Sequence, residues 1–249
     1  MDLQLTGKRV LVTGGTRGIG RAVVEGFLAE GAVVEFCARS AEGCAETAAA
    51  VGPSATGTAV DVGDGAALTD WVAAAAGRLG GIDAVVSNVS ALAIGDGEAN
   101  WRASFEVDLM GTVRLATAAL PHLTASRGSI VAISSVSGRE IDFAAGPYGV
   151  MKAAIVHYVQ GLAFQLAATG VRANTVAPGN TYFPGGVWHQ IETGQPQLYA
   201  DSLALNPTGR MGTPAEMARA VVFLSSPVSS FTTGTNLVVD GALTRGVQL

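Results

Sequence analysis

The sequence predicts an α/β fold built on one doubly wound parallel sheet of seven strands, and three observations predict it. Short β-branched runs alternate with longer Ala- and Leu-rich segments along the whole chain, which is the rhythm of βαβ units. Hydrophobic residues make up 49% of the 249 residues and charged residues 14%, a balance that suits strands buried beneath helices on both faces. The residue clusters that carry chemistry fall just after the β-branched runs, where open α/β sheets bind their ligands.

Strands are expected near 8–13, 32–38, 56–60, 82–87, 129–134, 171–176 and 235–239, and helices near 18–30, 41–51, 64–79, 98–120, 146–169 and 214–226. No repeat, heptad run or linker divides the chain, so residues 1–249 are expected to form a single domain. One long stretch, 178–212, reads as irregular, rich in Gly, Pro and the aromatics Tyr182, Phe183, Trp188 and Tyr199. Loops this long in compact domains usually have a function. A substrate-binding loop is expected there, with Tyr182, Phe183 and Trp188, together with Ser137, as candidate substrate contacts.

Composition excludes several functions. A net charge of −5 without a Lys/Arg block offers no footprint for nucleic acid or anionic lipid. Cys37 and Cys44 lack a paired metal or redox spacing, and His122, His157 and His189 are dispersed, so no metal site is expected. The uncharged stretches 153–171 and 220–239 are broken by polar residues, Gly or Pro, which argues against a membrane span. The first residues show no basic run followed by an apolar one, and a cytoplasmic protein is expected.

The run Lys8 to Gly20 is a strand, a glycine turn and a helix start in succession, with Gly14, Thr16, Arg17, Gly18, Ile19 and Gly20 in the turn. Glycines let backbone approach a pyrophosphate, and the amides and dipole of the following helix favour its negative charge. The context is that of a dinucleotide site. Sites selective for NAD place an acid at the end of the second strand for the ribose 2′-hydroxyl. Here Ala38 and Arg39 stand there. A guanidinium suits a 2′-phosphate, and Arg17 can add a second charge, so NADP(H) is the expected cofactor. Glu35, the competing acid, lies four residues short of that point. Asp61, followed by Val62, is open to two readings: a hydrogen bond to the adenine amino group, or a cap for the helix that begins near Asp64.

After the fifth strand comes Ser135, and thirteen residues later Tyr148, with Lys152 one helical turn beyond it. A free tyrosine titrates near ~10, too high for acid–base work near neutrality. Lowering it by about three units takes about 4 kcal/mol in favour of the phenolate, which a neighbouring ammonium and the nicotinamide charge can supply in a desolvated cleft. With four tyrosines and only two lysines in the chain, chance gives this spacing about 3% of the time. Ser135, Tyr148 and Lys152 are therefore the candidate catalytic residues.

On the segments Thr13 to Gly20, Asp61-Val62, Ser135 with Tyr148 and Lys152, Pro178-Gly179 and Val238 to Gly241, the sequence resembles the short-chain dehydrogenase/reductase family over nearly its whole length, in the branch of 3-oxoacyl-carrier-protein reductases and carbonyl reductases. The resemblance implies a Rossmann-type sheet and an NADP(H)-dependent oxidoreductase that interconverts a ketone and a secondary alcohol. In it, Tyr148 exchanges the proton, Ser135 hydrogen-bonds the substrate oxygen, and Lys152 lowers the tyrosine pKa and holds the nicotinamide ribose. It also implies cofactor contacts from Asn88, Pro178, Gly179 and Thr181, and a homotetramer or homodimer. Other members of the family are dehydratases or epimerases, and some proteins of this kind bind NADP(H) as regulators without turnover. Three positions depart from the pattern: Ser87 to Ser90 in place of Asn-Asn-Ala-Gly, Phe183 in place of a threonine, and Asp108 where the catalytic tetrad has asparagine. Asp108 is read in two ways, as a carboxylate that acts on Lys152 or as one paired locally in its helix.

Overall fold

The computed structural model describes residues 1–246. Seven parallel strands form one sheet in the order β3-β2-β1-β4-β5-β6-β7: β1 Arg9–Thr13, β2 Val33–Ala38, β3 Ala55–Ala59, β4 Ala84–Ser87, β5 Ser129–Ile133, β6 Arg172–Pro178 and β7 Asn236–Val239. The chain winds outward from β1 to β3, returns to β4 beside β1, and continues to β7. The switch between β1 and β4 opens a crevice at the carboxyl ends of the strands, where ligands of such sheets bind.

Two apolar layers sandwich the sheet. On one face Leu11, Val85, Ile130 and Ala132 pack against α3 (Gly65–Leu79), α5 (Gly111–Ser126) and α6 (Pro147–Leu166) through Leu68, Trp71, Leu115 and Ile155. On the other, Val10, Val12, Val86 and Val131 meet α1 (Gly18–Ala29) and α9 (Pro214–Ser225) through Val23, Phe27, Val221 and Leu224. Period-two alternation thus feeds both faces with apolar side chains, as a parallel sheet covered on both sides requires.

Two expectations are corrected. The helix expected over 98–120 is three joined segments, α4 (Glu98–Ser104), a π-helical turn (Phe105–Met110) and α5, and it runs on to Ser126 through Pro121. A proline removes one donor and is tolerated where packing outweighs that loss, here by the burial of Leu115, Ala119 and Leu123. The stretch 178–212 is not irregular throughout: it holds α7 (Val187–Gly194) and α8 (Pro196–Ala204). Both are short, and Gly and Pro at their borders mask their periodicity. Of the remaining helices, α2 (Ala41–Val51) packs beside β3. Among the described residues no helix is long and apolar enough to cross a membrane.

Candidate active site

The glycine turn is held from two sides. The amides of Gly14 and Gly15 donate to the Cys37 carbonyl at 2.7 and 3.2 Å. From the other side the Asn88 side-chain amide donates to the Thr13 and Gly14 carbonyls at 3.1 and 3.2 Å. A Cβ on Gly20 would collide with the Gly14 carbonyl and the Asn88 amide, and Gly14 and Gly18 have φ of +71° and +54°, so glycine is required at all three. Asn88 thus fastens the turn with the group that was expected to reach a cofactor. The family resemblance pointed to it, but its partners were not visible in sequence.

Beyond the turn, α1 begins with no side-chain cap and no acidic residue in its first turn, so its first amides are left for an anion. By contrast α2 is capped by Ser40, whose oxygen accepts from the Gly43 amide at 3.0 Å, and carries Glu42. Thr16 lies beside Gly43, which links the turn to the end of β2. Arg17 and Arg39 are exposed and form no ion pair among the described residues. Glu35 is buried and bound in a fork by Arg78, at 2.7 and 2.8 Å, which removes it as a ribose ligand. Ile19 packs against the core beneath the turn.

After β3, Asp61 is exposed and its carboxylate accepts from the Gly63 amide at 2.9 Å. The cap of α3 is Asp64, through the Ala66 and Ala67 amides, so the capping reading of Asp61 is corrected: it shapes the turn before the helix. Val62 is buried in the core. Cys37 and Cys44 are buried thiols; burial pushes Cys37 up to about 12, far from reactivity.

At the end of β5 the chain turns sharply at Ser135, which is 8% exposed. Its oxygen accepts from the Ser137 amide at 3.2 Å, and its own proton has no acceptor among the described residues. The following 3-10 turn, Val136–Gly138, lies so close to α6 that a Cβ on Gly138 would meet the Lys152 backbone, while one on Gly149 would meet the Ser137 and Ala144 carbonyls. Ser134 Oγ donates to the Lys152 carbonyl at 2.9 Å. These contacts lock the first turns of α6 onto β5.

Tyr148 and Lys152 are brought together as expected: the ammonium lies 5.5 Å from the centroid of the Tyr148 ring. Lys152 is 2% exposed and donates to the Ile133 carbonyl at 3.1 Å. Its second partner is Asp108, which is fully buried, with Oδ1 3.1 Å from the ammonium. That oxygen is poorly aligned for a hydrogen bond, so the contact is an ion pair. Of the two readings of Asp108, the geometry selects the one in which the carboxylate meets Lys152. The Tyr148 hydroxyl has no hydrogen-bond partner among the described residues.

The substrate candidates separate. Trp188 lines a cavity of about 340 Å³ with Val136, Phe143, Leu205, Asp142 and Arg245, and its ring meets Phe143 edge-on at 5.8 Å. Ser137 donates to Asp142 at 2.6 Å, so its hydroxyl shapes the wall. Tyr182 turns inward on its own segment: its hydroxyl donates to Glu192 at 2.5 Å, a bond that pushes it up to about 12, and its ring meets His189 and Tyr199. Phe183 lies over Gly18 and Gly186, against the glycine turn and not in the cavity. Thr181 is buried and donates to the Gly179 carbonyl at 3.0 Å, and Pro178 and Gly179 close β6 against Asp240. Sequence reasoning missed Asp142, Phe143 and the tail residue Arg245; no periodic or spacing signal marks them. The described residues contain no His, Cys, Asp or Glu cluster suited to a metal.

A switch-point crevice with a glycine turn on one side and a Ser, Tyr and buried Lys on the other defines a dinucleotide-dependent oxidoreductase architecture. The chain belongs to the short-chain dehydrogenase/reductase family. The family model described as enoyl-(acyl carrier protein) reductase matches residues 14–244. The chain is 40% identical over 258 residues to an isoepoxydon dehydrogenase of Aspergillus clavatus, covering 98% of this chain and 97% of that protein. It is 36% identical to an L-fucose dehydrogenase of Mus musculus over 97% of this chain and 90% of the other. A doubly substituted variant of a Serratia marcescens short-chain dehydrogenase/reductase superposes with a TM-score of 0.88 at 29% identity, covering 96% of this chain and 98% of that one.

Proposed function

We propose that the protein is an NADP(H)-dependent oxidoreductase that interconverts a ketone and a secondary alcohol, with Tyr148 as the proton donor and acceptor. The observation that carries this reading is the buried Lys152 ammonium 5.5 Å from the Tyr148 ring centroid, beside a serine whose proton is uncommitted. The bound cofactor supplies or accepts the hydride. Tyr148 gives its proton to the carbonyl oxygen during reduction and takes it back during oxidation. Ser135 donates a hydrogen bond to that oxygen as negative charge develops on it. Lys152 sets its ammonium against the phenol, and its remaining donor would hold the nicotinamide ribose of the bound cofactor.

The residues fit the cofactor. The uncapped, acid-free start of α1 and the turn in which Cβ atoms on Gly14, Gly18 and Gly20 are excluded suit a pyrophosphate. Unpaired Arg17 and Arg39, with Glu35 consumed by Arg78, support a 2′-phosphate and hence NADP(H) over NAD(H). Asp61 and Val62 would flank the adenine, Asn88 holds the turn, and Pro178, Gly179 and Thr181 would border the nicotinamide end.

The cavity is near the small end of the ligand-site range. Its apolar walls, Val136, Phe143, Trp188 and Leu205, are interleaved with polar residues, among them Glu140, Asp142, Asn180, Ser202, Thr244 and Arg245, which suits a compact ring bearing several oxygens better than a long acyl chain. Relatives named for isoepoxydon and L-fucose agree with that class. The enzyme is expected to be cytoplasmic and to assemble as a homotetramer or homodimer through the joined helical segments over 98–126 and through α6, which expose Phe105 and Val150 respectively; light scattering tests the assembly. The decisive experiment is Tyr148→Phe: turnover of cyclic ketones falls by more than about 100-fold while NADPH still binds, and retained turnover would overturn the assignment.

A further inference from the structure

The feature that this reading leaves unused is the pair of buried opposite charges beneath the tyrosine. Asp108 is 0% exposed and Lys152 is 2% exposed, so neither is screened by solvent or salt. The carboxylate faces two donors. Its Oδ2 accepts from the Ala91 amide at 3.0 Å, and its Oδ1 stands 3.1 Å from the Lys152 ammonium. A carboxamide has one acceptor oxygen and one donor NH2, so an asparagine in this place would turn its NH2 on one of the two donors. A carboxylate meets both donors without turning an NH2 on either.

The backbone holds that acid in place. Residue 108 lies in the π-helical turn, a rare local widening that re-aims side chains at functional sites. Thr112 Oγ1 donates to the Asp108 carbonyl at 2.7 Å, and Ser87, at the end of β4, shares a 2.8 Å hydrogen bond with the same hydroxyl. Because the proton of Thr112 is committed to that carbonyl, Ser87 is the donor between the two hydroxyls. The turn is thereby tied to the sheet.

Resting on the function proposed above, we propose that Asp108 is a positioning residue that sets the working pH of the site: its carboxylate offsets the Lys152 charge, so that Tyr148 keeps its proton to a higher pH than the lysine alone would allow. A lone ammonium near the phenol stabilises the phenolate, and a carboxylate paired with that ammonium at 3.1 Å cancels part of the pull. The site then favours a protonated tyrosine, the form that donates to a carbonyl, and alcohol oxidation needs more alkaline conditions. Asp108 acts through Lys152.

Few other charges bear on the first turn of α6. Asp96 lies against Gly146. Asp142 is bound by the Ser137 hydroxyl and the Ala144 amide, with Glu140 in the same turn. On the π-helical turn, Glu106 is paired with Arg114. From β5 and β4 the neighbours Ile133, Ser135 and Ser87 are uncharged. On the segment after β6, His189 faces Gly185 and Tyr182. None of these changes when residue 108 alone is altered.

The test follows the ionisation of Tyr148 by the ultraviolet absorbance of tyrosinate in the cofactor-free protein. The parent, Asp108→Asn and Asp108→Ser are each compared with the same protein carrying Tyr148→Phe. Both variants are expected to lower the Tyr148 midpoint by about 0.5 to 1 pH unit and to move the acid limb of the alcohol-oxidation rate in the same direction. An unchanged midpoint would reduce Asp108 to a purely structural role. A rise would mean that the carboxylate serves mainly to keep Lys152 charged; either result overturns the proposal. The serine variant answers if the amide disturbs folding. Absence of turnover on every alcohol and ketone would count against the proposed function, while the titration would still decide the role of Asp108.

Discussion

The turn after β1 and the segment after β6 sit at the same carboxyl edge of the sheet, yet they are built on opposite principles. In the first, backbone comes so close to backbone that side chains are excluded, and Asn88 ties the carbonyls. In the second, aromatic side chains pack on one another: Tyr182 with His189 and Tyr199, and Trp188 with Phe143. A ligand cradle made of backbone tolerates almost no substitution. A wall made of side chains tolerates repacking, and this lets one part of the fold keep a cofactor while the other changes substrates.

Substitutions that break or sharpen this contrast can be ranked by expected effect. The largest belongs to the backbone cradle. Gly20→Ala forces its Cβ into the Gly14 carbonyl and should cost about 2 to 3 kcal/mol of stability and abolish NADPH binding, measured by denaturant unfolding and cofactor fluorescence. A fully stable, cofactor-binding variant would show that the turn can widen. Next comes cofactor choice: Arg39→Ala should reduce the NADPH over NADH preference by about tenfold, the value of one charge-assisted contact, with both constants measured on the same protein. No change would move the 2′-phosphate site elsewhere.

The aromatic wall should respond more gently. Trp188→Ala is expected to raise KM for ring-bearing substrates by about tenfold with NADPH affinity unaltered, since Trp188 lines the cavity and lies far in function from the turn. Tyr199→Ala should lower the melting temperature by a few degrees with less effect on KM, because its ring supports Tyr182 from within the segment. If Tyr199 governed KM and Trp188 did not, the two roles would have to be exchanged.

The smallest effect concerns the cap at the start of α9, where the segment after β6 ends. Arg210 and Thr213 hold the Glu216 carboxyl down from 4.5 to about 2, within a capping box. A depressed folded-state value means that this contribution is present above the unfolded value and is lost as pH falls through the folded one. The protection of the first-turn amides of α9, taken relative to their intrinsic exchange rates, should therefore hold steady near neutrality and fall as pH falls from 4.5 toward 2. Glu216→Gln should show at neutral pH the reduced protection that the parent shows in acid.

Sequence alone carried the alternation that builds the sheet, the glycine turn, and the Ser135, Tyr148 and Lys152 set, because periodicity, excluded side chains and a chain with two lysines leave few alternatives. The helices at 187–204 were less legible, since short helices draw their stability from packing that no local pattern encodes. Which partner each polar group takes was settled only in three dimensions. Arg78 reaches Glu35 across 43 positions, Asn88 reaches the turn across 75, and Asp108 finds both Lys152 and the Ala91 amide. A side chain's residue type fixes what it can bond, but the fold decides which groups come within about 3 Å of it.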